Sequence, residues 1–131
     1  MSNLRIVYLN DTYGQSSNLS PISSEVISFL HGRGHQVLNL NQYSLGSKSA
    51  VYEQTLKLLK ASQLVVVVLD NFSVLALVLL TQAFSKSLPV VVLTSNQPLY
   101  QELKAITHKQ LHCYYFNSSE QVINTLKLFK L

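Results

Sequence analysis

The chain has 131 residues, enough for one domain with a single sizeable core. Hydrophobic residues make up 47%, which excludes a disordered chain, while charged residues make up only 12%, against roughly 25% in ordinary soluble domains. Ten Lys and Arg against six Asp and Glu leave a net charge of +4, but the basic residues are scattered singly from Arg5 to Lys130, which argues against a nucleic-acid partner.

In chain order, Arg5 to Asn10 (RIVYLN) reads as the first strand. Ser20-Pro21 supplies an N-cap followed by proline at the first helical position. Ile22, Val26, Phe29 and Leu30 follow at helical spacing, and Gly32 and Gly34 stop that helix. Gln36 to Leu40 is a second, shorter strand. Asn41 to Lys48 reads as a polar loop, and Val51 to Ala61 as a second helix with Leu56, Leu58 and Leu59 on its apolar side. Leu64 to Leu69 (LVVVVL) shows no apolar–polar alternation, so it reads as a strand buried on both faces. Ser73 to Lys86 is the third helix, Pro89 to Thr94 the fourth strand, and Pro98 to Ile106 the fourth helix. His112 to Phe116 is the fifth strand, and Ser118 caps a last helix with Gln121 at the capping-box position.

Strands alternating with helices imply a parallel sheet built from βαβ units. Five such strands most simply form a three-layer flavodoxin-like (Rossmann-like) sandwich in the order 2-1-3-4-5, one domain over residues 1–131. Asp70, Asn71 and Ser73 interrupt the apolar run Leu64 to Leu80 well short of the ~20 residues a spanning helix needs, so no membrane segment is expected. The chain enters its first strand without a basic and apolar leader, and its single cysteine, Cys113, excludes an internal disulfide. A cytoplasmic location is the expectation.

Open parallel sheets bind ligands beyond the carboxyl ends of their strands, where the strand order reverses. Here the reversal falls between strands one and three, which run into Asn10-Asp11-Thr12-Tyr13-Gly14 and Asp70-Asn71-Phe72-Ser73. Of the six carboxylates, only Asp11 and Asp70 end strands. They either face a shared cleft, able to bind hydroxyls or move protons, or cap local turns and helices. Thr12 to Asn18 is rich in hydroxyls and amides, suited to a phosphate or to an ordinary polar loop. No glycine-rich dinucleotide or phosphate-binding motif occurs, and no cofactor is implied. His31, His35, His108 and His112 lack metal-ligand spacing and read as solvated surface residues, so no metal is expected. Cys113, within an apolar strand, reads as an inert thiol.

The segment LKASQLVVVVLDNFSVLALVLLTQAFSKSLPVVVL resembles the nucleoside 2-deoxyribosyltransferase family, including its nucleotide N-glycosidase branch. Members typically show an apolar strand often ending L-D, a helix with an E-L-G-x-A core, and a linker ending G-K-P. Ala83 matches the family alanine, Ser87-Leu88-Pro89 stands in place of G-K-P, and CYYFNSSEQVINTL is similar to the family's last strand and helix. By this resemblance the nucleophilic glutamate falls on Leu79, the following glycine on Thr81, and the aspartate opening the third strand on Gln63. Covalent glycosyl transfer needs a carboxylate at the anomeric carbon, and no acidic residue occurs from Asn71 to Leu99. The resemblance therefore implies a nucleoside- or nucleotide-binding domain without glycosyl transfer. Asp70, Asn71 and Ser73 form one wall of the expected site, Asn10, Asp11 and Tyr13 the other, and Ser95 and Asn96 are further contacts. Two alternatives stay open: a homodimeric interaction module with no small ligand, and an active N-glycosidase using Asp70 as its catalytic residue. The helix Ser73 to Lys86, apolar nearly all round, is the expected homo-oligomer contact.

Overall fold

A computed structural model of the chain describes residues 4–10, 21–39, 53, 56–69, 74–106 and 109–129. Five strands, β1 (Arg5–Asn10), β2 (Gln36–Asn39), β3 (Leu64–Val68), β4 (Val90–Thr94) and β5 (Leu111–Tyr115), form one all-parallel sheet in the order β2-β1-β3-β4-β5. The helices are α1 (Pro21–Gly32), helical residues 56–60 (α2), α3 (Val74–Ser85), α4 (Gln97–Lys104) and α5 (Ser119–Leu128). The expected flavodoxin-like architecture and strand order are present.

The period-two geometry of a strand divides the core in two. Val7, Leu9, Val65, Val67, Val90 and Val92 turn to one face, where they pack with Leu59 of α2, Leu79, Leu80 and Ala83 of α3, and Leu99 and Leu103 of α4. Ile6, Tyr8, Val66, Val68, Val91 and Leu93 turn to the other, against Val26 and Leu30 of α1 and Val122 and Leu126 of α5. β3 and β4 are buried along their whole length, which is why they read as unbroken valine runs. On the α1 side, the fully buried Tyr8 places its hydroxyl on Ser23 Oγ, so its polar group is paired within that core.

Several boundaries differ from the sequence reading. β4 starts at Val90 because Pro89 has no N–H for the ladder, although its carbonyl accepts from Val65 N at 3.0 Å. β5 sits one residue earlier than expected, at Leu111–Tyr115, with Gln110 C=O already accepting from Val90 N at 2.8 Å. At α5, Ser118 Oγ accepts from Gln121 N at 3.3 Å as a cap should. Gln121 Oε1 accepts from Asn117 N at 2.7 Å, one residue ahead of the capping-box position.

α1 and α3 end in the same way. Gly34 N donates to His31 O and His35 N to Leu30 O. Ser87 N donates to Phe84 O and Leu88 N to Ala83 O. Both are Schellman closures, in which one residue must adopt a left-handed backbone. That residue is Gly34, at φ 89°, after α1, and Ser87, at φ 56°, after α3.

Candidate functional site

The reversal of strand order lies at β1, flanked by β2 on one side and β3 on the other. Asn10 pairs with Val68, so the segments beginning at Asp11 and at Leu69 leave from adjacent strand ends. Leu69 itself continues along β4, its N–H donating to Leu93 O at 2.9 Å. Asp11, Tyr13, Asp70, Asn71 and Ser73, and the side chain of Asn10, lie outside the described residues.

The two remaining expected contacts are described. Thr94, fully buried at the end of β4, accepts from Asn96 N through its hydroxyl at 3.1 Å. Asn96 adopts an extended backbone and its Oδ1 accepts from Leu99 N at 3.1 Å, capping α4 with Pro98 in the first turn. Asn96 Oδ1 is thus committed to holding the helix end, whereas Ser95 is exposed on the rim of the same turn.

Leu79 is buried in this chain's own core, 1% exposed, beside Leu80 and Ala83. The chain's own core thus covers the inward side of α3. Among its described side chains Thr81 and Ser85 are exposed, and Leu77 is the one large outward hydrophobe, 46% exposed. Thr81 Oγ1 donates back to Leu77 O at 3.0 Å, which satisfies its hydroxyl within the helix.

Sequence reasoning missed an apolar groove of about 230 Å³ between α3 and α4, lined by Leu69, Leu77, Leu80, Leu99, Leu103 and Ile106, with Glu102 the only ionisable side chain among the described residues that line it. Its floor, Leu69, lies directly past the carboxyl end of β3, and Leu77 and the 45% exposed Ile106 line it. The signal in the sequence was Ile106, an isoleucine past the end of a polar helix.

His35 is also corrected: it is 4% exposed, not a solvated surface residue. It occupies the position after Gly34 in the α1 closure, where burial against the last turn is the rule. Its Nδ1 accepts from Leu4 N at 3.1 Å, which assigns the proton to Nε2, an atom with no partner among the described residues. Burial pushes the Cys113 thiol up to about 11, and the Lys104 ammonium pulls only weakly the other way, so the thiolate is scarce at neutral pH. Among the described residues no group of His, Cys, Asp and Glu could hold a metal ion, and no helix is long and apolar enough to cross a membrane.

No family model and no curated protein matches the sequence. Solved structures do share the fold. A de novo designed Rossmann 2x3 fold protein, solved by solution NMR, is 14% identical over 96% of this chain and 88% of its own, with a TM-score of 0.67. A 2-deoxyribosyltransferase from Bacillus psychrosaccharolyticus is 16% identical over 91% of this chain and 90% of its own, with a TM-score of 0.54. The chain has a Rossmann-like fold related to that of a deoxyribosyltransferase.

Proposed function

We propose that this chain is a degenerate nucleoside deoxyribosyltransferase-like domain that binds a nucleoside or nucleotide without transferring its sugar. The observation that carries this reading is the pairing of Asn10 with Val68 at the reversal of strand order. From those adjacent ends the chain runs into Asp11 and Tyr13 on one side and Asp70, Asn71 and Ser73 on the other. Carboxylates, amides and hydroxyls are the groups that recognise ribose hydroxyls and base edges. The 2-deoxyribosyltransferase whose fold is similar gives the ligand class its motivation. The resemblance places Leu79 where a nucleophilic carboxylate stands, and that side chain is buried among Leu80 and Ala83.

A second reading, a homodimeric interaction module without a small ligand, is favoured by the exposed Leu77 beside the apolar groove between α3 and α4. Calorimetric titration with deoxynucleosides and their 5′-monophosphates decides between them. Binding is expected to saturate at millimolar ligand or below, to vanish in Asp70→Asn, and to release no free base. Absence of heat at millimolar ligand overturns the binding reading, and release of free base shows that Asp70 sustains N-glycosidase chemistry.

A further inference from the structure

The sheet ends at β5, whose outer edge has no partner strand among the described residues. The phase of its ladder identifies the groups left on that edge. Gln110 C=O accepts from Val90 N at 2.8 Å and Phe116 N donates to Thr94 O at 2.9 Å. Backbone groups of successive strand residues point to alternate sides, so the even-numbered residues from 110 to 116 address β4. The N–H and C=O groups of Leu111, Cys113 and Tyr115 therefore face outward.

Monomeric proteins usually blunt such an edge with lysine, proline or an inward charge. Leu111–Tyr115 (LHCYY) has none of these. The strand instead complements itself. Turned about a two-fold axis at Cys113, a second copy sets its Tyr115 opposite Leu111 and its Cys113 opposite Cys113. Each of the three facing pairs then exchanges two N–H···O bonds. The side chains agree on both faces. Towards α5, His112 and Tyr114 each meet the Phe129 ring edge-on, at 5.4 and 5.3 Å. The two-fold places His112 opposite the partner's Tyr114, continuing this aromatic cluster across the axis. Towards α4, Leu111 and Cys113 pack on the core, and Tyr115 lies 6.0 Å from Tyr100. Antiparallel pairing also brings the Lys109 end of one copy beside the end of the other that leads into α5 and Glu120. Both residues are exposed, so the two ends of the strand are flanked by opposite charges.

We propose that β5 is the seam of a two-fold homodimer, two copies of the sheet joining edge to edge through Leu111, Cys113 and Tyr115. The partner is a second copy of this chain, and the proposal is independent of the ligand reading above. Light scattering of the full chain, with amide exchange followed by NMR, tests it. The expected mass is twice 14.7 kDa at high concentration. In the dimer the amides of Leu111, Cys113 and Tyr115 are protected along with that of Phe116. On dilution the first three exchange at least about ten times faster while Phe116 holds, because its N–H is bonded within the chain. Lys109→Glu, at an exposed site, weakens the dimer about five-fold, and adding Glu120→Lys restores it. A chain that stays monomeric at millimolar concentration overturns the proposal. So does a dimer whose three outward amides exchange freely, and so does one that Leu77→Glu dissociates while Lys109→Glu leaves it intact.

Discussion

The ends of α1 and α3 carry the same backbone closure on different residues, and the contrast shows what each end tolerates. After α1 the left-handed position is Gly34, and the next residue, His35, turns inward to take the Leu4 N–H on its imidazole. After α3 the left-handed position is Ser87, and the next residue, Leu88, packs on the aliphatic core beside Ala83. A side chain at positive φ costs free energy that glycine does not. The α3 end bears that cost because a leucine anchor holds it from inside. The α1 end adds a polar link to Leu4, just ahead of β1, and with it a second way to fail.

Four substitutions break or sharpen this contrast, and chemical denaturation reads each. His35→Leu leaves the Leu4 N–H without its acceptor and costs about 1–3 kcal/mol, which Leu88→Met, a like-sized apolar change, does not approach. Gly34→Ala forces a Cβ into the left-handed region and costs about 1–2 kcal/mol. Ser87→Gly reverses the sign: relief of the left-handed strain outweighs the added freedom of the unfolded chain, for a gain of about 0.5–1 kcal/mol. If Ser87→Gly destabilises, the α3 end is not strained, and the two closures differ in more than their side chains.

Most of the fold was legible because its signals are local and repeated. Unbroken valines at β3 and β4, proline at the start of α1 and Ser118 before α5 each state an element and its burial. The misses share a cause. His35 read as a surface residue because nothing in a sequence shows that the position after Gly34 is pulled against the last helical turn. The helix Ser73 to Lys86 read as apolar nearly all round because seven consecutive hydrophobes, Val74 to Leu80, conceal the helical period, and only packing reveals that Leu79, Leu80 and Ala83 face in while Thr81 faces out. Of the expected site, the strand ends that start it were legible and are in place. Asn96 was named as a contact, and its cap on Leu99 N was readable from the proline two residues on. The groove between α3 and α4 left only Ile106 as a local sign, since it arises from the spacing of two helices.

The valine strands have a consequence beyond architecture. Val65 to Val68 and Val90 to Val92 form the most β-prone and least charged text in the chain, and the native sheet pairs them with each other at its centre. During synthesis β3 emerges after β1 but well before β4, α4 and α5, so one of its two neighbours and half its covering arrive late. Until then its β4 edge is a free template for any similar strand, including the same strand of another nascent copy. The segment that makes the finished sheet secure is thus the one most in need of shelter while the chain is being made.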